Sequence, residues 1–280
     1  MRAAGLKKFW GIRQKDSHGS VNGGKPRMAW LPSFPARISM MYRLLIAALA
    51  CLLIAPVRAQ QGPAAHFFVY QVNPGAQAKF EDGYRHHLGW HRSHHDPLVW
   101  YGWTVSDGKR DGYFIDASVG EPFAAFDHRV DVEQDGADFR ASVTPYVTPQ
   151  AQLAYQLLPE LSYGTPLEKR QPSDAVQVTY FDLRPGMQSR FEHALQAARR
   201  VLASTPAAPP HTWYRLVSGG DTPRYMLMVA RANWASYDGF RKDVADLLAN
   251  DQNALRDFTD AVRSSSTESW KYHPDLSNLP

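Results

Sequence analysis

Apolar and aromatic positions alternate with polar ones in short runs along this chain, and between the runs the period lengthens to that of a helix. Residues 66–72, HFFVYQV, read as a strand. Pro74-Gly75 follows at a helix start, where proline in the first position loses no hydrogen bond and Asn73 can cap. The helical stretch runs to about residue 93 and is closed by Asp96-Pro97. Strands are predicted at 98–106 and 112–119, with Asp107-Gly108 supplying the turn. A second helix begins at Glu121-Pro122, and a last strand passes Tyr155. The element order is βαββαβ.

The same order recurs. Residues 67–75 align with 178–186, Phe80-Glu81 with Phe191-Glu192, Trp100-Tyr101 with Trp213-Tyr214, Tyr113 with Tyr225, and Phe126-Asp127 with Tyr237-Asp238. Pro159-Glu160-Leu161-Ser162 answers Pro274-Asp275-Leu276-Ser277. Matches in order at a nearly constant offset indicate a duplicated unit the size of a small domain. In the second copy the strands fall at 175–183, 211–218 and 224–231, with a final one through Trp270. The first helix of that copy ends near Ser204 before the prolines at 206–210, and a later one follows the cap Asn233. Residues 235–263 read as an amphipathic cover helix that breaks at Asn250-Asp251. The aromatic sets Phe123 and Phe126, and Trp234, Tyr237 and Phe240, sit at helical spacing and are assigned to the core. The predicted fold class is α+β: two tandem ferredoxin-like βαββαβ units, residues 60–162 and 175–280, joined by a polar, proline-containing linker at 163–174 and forming a pseudo-dimeric α/β barrel.

Tandem units with Pro-Gly loops and Trp-Tyr second strands resemble the dimeric α/β-barrel superfamily, which includes antibiotic-biosynthesis monooxygenase-like, NIPSNAP-like and chlorite-dismutase-like proteins. The resemblance implies two sheets closing a barrel with helices outside, and ligands between a helix and its sheet. It also raises haem, whose iron would take a histidine from the C-terminal unit; His193, His211 and His273 do not stand where that would need them, and no CxxCH is present for covalent attachment.

Composition changes the picture at the N-terminus. Residues 44–57 form a small and apolar run behind a basic start, followed by Val57-Arg58-Ala59 and Gln60, the pattern of a signal peptide over 40–59. Residues 1–39 then read as an upstream extension from a misplaced start. Ten of the 31 Lys and Arg and one of the 27 Asp and Glu precede Gln60, so the part beyond it carries a net charge of −5 although the whole chain is +4. The expectation is a periplasmic or secreted protein with no membrane span after signal removal, no electrostatic footprint for nucleic acid, and a monomeric or homodimeric state. Cys51 is the sole cysteine and lies within the signal, so no thiolate chemistry is available beyond it.

Candidate chemistry lies where the copies differ. The second copy carries the stripe Phe191, Leu195, Ala198 and Leu202, spaced as a buried helix face requires. Its counterpart in the first copy is Phe80, Tyr84, His87 and His91. Two imidazoles one turn apart therefore occupy a face that should be greasy. The assignment is catalytic for His87, His91 and Tyr84, with Trp100, Tyr101 and Trp103 lining a pocket for a flat small molecule. The chemistry matched to it is cofactor-independent monooxygenase or isomerase-type, with a histidine as base. The alternative is a non-catalytic ligand- or metal-binding protein. The cofactor stays open between none, a metal and haem; a metal would need a third ligand such as Glu81, Asp96 or His95 beside the two histidines.

Overall fold

A computed structural model describes residues 62–279. The signal and upstream segments assigned from the sequence lie outside these residues. Eight antiparallel strands close a barrel in the order β1-β3-β2-β8-β5-β7-β6-β4. They are β1 (Ala64–Val72), β2 (Tyr101–Val105), β3 (Tyr113–Glu121), β4 (Val147–Leu157), β5 (Ala175–Leu183), β6 (His211–Ser218), β7 (Arg224–Arg231) and β8 (Val262–Tyr272). The helices are α1 (Gln77–Ser93), α2 (Val132–Ser142), α3 (Gln188–Ala203), α4 (Ser236–Gly239), α5 (Val244–Leu248) and α6 (Gln252–Ala261). In the first half β1 lies between β3 and β4; in the second, β5 lies between β7 and β8. The pairs β2–β8 and β4–β6 join the halves, so the sheet closes within one chain and leaves no edge.

Strand alternation divides the core. Inward positions such as Phe67, Trp103, Ile115, Tyr155, Tyr214 and Trp270 fill the lumen. Outside it, α3, α5 and α6 cover one half of the sheet with Phe191, Leu195, Leu202, Leu248 and Phe258. On the other half, α1 brings Phe80, Tyr84 and Leu88 against Tyr70, Trp100 and Phe114. No helix among the described residues is long and apolar enough to cross a membrane.

Several expectations change. Pro74-Gly75 and Pro185-Gly186 are turns, not helix starts: both glycines have positive φ (76° and 80°), open only to glycine at little cost, and the amides of Ala76 and Met187 close the turns on Asn73 O and Arg184 O. Asn73 caps nothing; its side chain donates to Pro145 O at 3.4 Å. The stretch 235–263 breaks at Asn250-Asp251 as expected, between α5 and α6, but also between α4 and α5, and it ends where β8 begins at Val262; the region after Pro122 opens as a 3₁₀ turn, Phe123–Asp127. With those helices broken, the three-residue spacing no longer maps to one face, so Phe123 (42 % exposed) and Trp234 (70 %) lie at the surface while Phe240 is buried.

Candidate metal centre between the first two helices

Helix α1 buries Phe80, Tyr84, His87, Leu88 and His91, so both imidazoles of the stripe point inward, as the spacing predicts. Helix α2 crosses α1 closely because residue 83 is glycine: a Cβ there would fall 1.9 Å from Ser142 O. That approach lays Asp135 and Asp138, one turn apart on α2, against the histidines.

Three ligand atoms converge. His87 Nε2 and His91 Nε2 are 3.2 Å apart, and Asp135 Oδ1 lies 3.4 Å from the first and 3.7 Å from the second. The far nitrogens are held by other carboxylates. His87 Nδ1 donates to Asp138 Oδ2 at 2.7 Å, and His91 Nδ1 stands 2.7 Å from Asp96 Oδ2, off the ideal hydrogen-bond direction. A carboxylate beside Nδ1 draws the proton of a neutral ring to that nitrogen, and with both rings in that tautomer both Nε2 atoms keep lone pairs. In that state the two nitrogens and the Asp135 oxygen face one another as acceptors. Asp135 Oδ2 is taken by Arg129, whose guanidinium also lies 5.9 Å from the Trp100 ring centroid.

The chain end of α1 explains the position of Asp96. His95 adopts a left-handed conformation, φ 52°, and the Asp96 amide returns to His91 O at 3.0 Å. This helix-terminating turn delivers the Asp96 carboxylate to His91, while the Leu98 amide and the Trp100 indole also donate to it. Burial alone would raise Asp96, but the close His91 imidazole and the hydrogen bonds from Leu98 and Trp100 hold it below the usual carboxylate range. For His87, burial pushes the imidazole below its ordinary value against the opposing hydrogen bond to Asp138.

Beneath the histidines, Tyr84 donates to Asp116 Oδ2 at 2.8 Å. Burial pushes Asp116 up to about 7, the Tyr84 hydrogen bond notwithstanding. Asp116 Oδ1 and Ser118 Oγ have no partner among the described residues.

Of the residues singled out from the sequence, Tyr84, His87, His91 and Trp100 come together, the Trp100 ring 5.0 Å from that of His91. Tyr101 and Trp103 do not join them. Two residues apart on one strand, they share the inward face and stack 5.5 Å apart in the lumen. Neither the cavity of about 570 Å³ nor the depression of about 380 Å³ is lined by His87 or His91. The third ligand position belongs to Asp135. Glu81 instead pairs with Arg85, His95 is exposed in the turn, and Asp96 serves the far side of His91. Asp135, Asp138, Gly83 and Arg129 escaped sequence reasoning; the acid pair at i, i+3 after the cap Asp131 was the available signal.

Among the described residues the second half offers no such group. The buried face of α3 is Phe191, Ala194, Leu195, Ala197, Ala198 and Leu202. His193 is exposed beside Asp257, and His211 Nδ1 is held by Pro209 O at 2.7 Å. A helix face without a ring nitrogen does not fit a haem bound through this half.

No family model and no curated protein matches the sequence. Solved structures do. A proposed monooxygenase of Lactobacillus acidophilus NCFM superposes with a TM-score of 0.54 at 11 % identity, covering 78 % of this chain and 97 % of that one. A proposed monooxygenase of Fusobacterium nucleatum gives 0.52 at 11 %, covering 76 % and 93 %, and a proposed chlorite dismutase 0.52 at 11 %, covering 77 % and 96 %. The fold is that of the dimeric α+β-barrel proteins. At such identity the likeness concerns architecture, and function has to be argued from the site.

Proposed function

We propose that this chain binds a divalent transition metal, zinc by ligand type, through His87 Nε2, His91 Nε2 and Asp135 Oδ1. The carrying observation is the set of separations, 3.2, 3.4 and 3.7 Å. Metal bonds of ~2.0–2.1 Å at tetrahedral angles hold ligand atoms ~3.3–3.4 Å apart. Three acceptors at that spacing, each imidazole backed by a carboxylate, match a metal centre better than a packed core, where facing lone pairs repel. Charge supports the same reading. Asp96, Asp135 and Asp138 stand against the two imidazoles, Arg129 pairs with Asp135 alone, and a dication offsets the excess. The ion, when bound, supplies Lewis acidity. Around it, Asp138 and Asp96 orient the imidazoles, Arg129 holds the second oxygen of Asp135, and the sheet face excludes water.

The wider reading is an exported barrel made of two related βαββαβ units, whose first unit has the metal centre and whose second supplies the partner half of the barrel. Two features support it: the matched β4-β1-β3-β2 and β8-β5-β7-β6 orders, and the repeated Pro-Gly turns. Closure within one chain favours a monomer. A second reading, oxygenase chemistry on a small molecule with His87 as base, draws on the 2.7 Å His87–Asp138 dyad and on the monooxygenase descriptions of two structural neighbours. The absence of a lining cavity at His87 among those described ranks it second.

Cobalt(II) titration of the purified protein tests the proposal. One equivalent giving a tetrahedral ligand-field spectrum, abolished in Asp135→Ala and in His91→Leu, supports it. Wild type without a spectrum, or both variants with the wild-type spectrum, refutes it.

A further inference from the structure

The outer face of the second half holds a cavity of about 570 Å³ that the metal centre does not use. Arg231, 5 % exposed on β7, is among the residues that line it. Its Nε and Nη2 both donate to Gln177 Oε1, at 3.2 and 2.8 Å, and Nη1 donates to the carbonyls of Ser236 and Phe240 at 3.2 and 2.8 Å. The guanidinium lies 4.2 Å from the ring centroid of Tyr237. Every one of these partners is neutral.

Three other half-buried arginines have a carboxylate: Arg110 has Glu268, Arg129 has Asp135, and Arg224 has Asp182; Arg170, like Arg231, donates only to neutral groups, but its partners are the carbonyls of its own loop, Thr165 and Gln171. Arg231 has none among the described residues. A buried charge without a counter-charge is costly, and burial indeed pulls this guanidinium below its ordinary value. Four of its five N–H groups are engaged, which leaves one on Nη2.

The rim adds cations. Arg241 and Lys242 are exposed and line the same cavity, with no ion pair among the described residues. Two acids stand there, Asp238 and Asp243, the second also capping α5 with its Oδ1 accepting from the Asp246 amide at 2.8 Å, so three positive groups face two carboxylates. The walls between are apolar: Phe181, Leu227, Val229 and Phe258. The volume falls in the range of small-molecule sites, ~300–1,000 Å³, and the lining joins these apolar side chains to hydroxyls of Thr179, Ser265 and Thr267.

We propose that this cavity binds an organic monocarboxylate with an apolar body. The carboxylate lies between Arg231 and the rim pair Arg241 and Lys242, and the hydrocarbon packs along Phe181, Leu227 and Phe258. The site stands on the opposite half of the barrel from His87 and His91, and on independent observations.

Calorimetric titration of the full chain with octanoate tests it, with octan-1-ol as the uncharged isostere. The proposal expects saturable binding of one octanoate per chain, weaker by about tenfold or more for octan-1-ol and in the Arg241→Gln/Lys242→Gln double variant, the loss of charge-assisted contacts. That double variant alters only exposed side chains, so its fold is retained even if Arg231→Gln proves unstable; a folded Arg231→Gln should not bind octanoate measurably. No saturable uptake by wild type overturns the proposal, as does octan-1-ol binding as tightly as octanoate, or the double variant binding as tightly as wild type.

Discussion

Asp138→Asn isolates the support of the metal centre from its ligands. Asp138 Oδ2 accepts from His87 Nδ1 at 2.7 Å and touches no proposed ligand atom of the centre. The amide keeps the shape and an acceptor oxygen but removes the negative charge that makes His87 Nε2 a stronger donor to a cation. Losing such a partner costs ~10–100-fold in metal affinity. With zinc at 100 times the wild-type Kd, binding adds ~2.7 kcal/mol to stability. For a barrel of this size each kcal/mol moves Tm by ~2–4 °C, so wild type should gain about 5–11 °C. At the same zinc concentration the variant sits at ~1–10 times its own Kd, where binding contributes only ~0.4–1.4 kcal/mol and the gain shrinks to about 1–6 °C. Differential scanning calorimetry with and without zinc, alongside competition against a chromophoric chelator, reads both quantities. An unchanged affinity and an unchanged zinc-induced shift in Asp138→Asn would refute the role of His87 as a ligand.

Gly83→Ala should improve helix propensity by ~1 kcal/mol in isolation, yet the added methyl meets Ser142 O and must push α2 away; zinc affinity should fall by more than about tenfold, and retention of full affinity would break the link between the helix crossing and the site. His211 is buried and held neutral, its pKa lowered to about 4 by burial, with Arg231 adding to the effect. Since the unfolded imidazole titrates near ~6.5, unfolding takes up a proton between the two values. Stability is therefore full above ~6.5 and falls as pH drops toward 4, by up to ~3 kcal/mol. Urea denaturation at pH 8 and pH 5 should give His211→Asn a shallower pH dependence than wild type; equal slopes would contradict it. Phe191→Ala, at a fully buried position on α3, should cost ~3–5 kcal/mol, whereas exposed Phe123→Ala should stay within ~0.5 kcal/mol; equal losses in chemical denaturation would mean the core is misassigned.

Strands were legible because each buries one or both faces, and period-two patterns with β-branched and aromatic residues have few alternative readings. The ranges 175–183, 211–218 and 224–231 coincide with β5, β6 and β7. What failed were local choices decided by backbone conformation. A Pro-Gly pair suits both a helix start and a turn, and only the positive φ of Gly75 and Gly186 separates them. The inward histidines were visible because α3 supplies an internal reference, Ala198 and Leu202. Asp135 was not, since it lies 44 positions from His91 and reaches the site through a helix crossing that depends on Gly83. Tyr101 and Trp103 mark the opposite error. Grouping them with Trp100 by sequence proximity ignored the alternation that turns neighbours on a strand to opposite faces.

The most direct test of the account is anomalous diffraction at the zinc edge from crystals of the zinc-treated protein. The account predicts one strong peak about 2.0–2.2 Å from each of His87 Nε2, His91 Nε2 and an Asp135 carboxylate oxygen. No peak there, with the two imidazoles joined directly by a hydrogen bond, would contradict it.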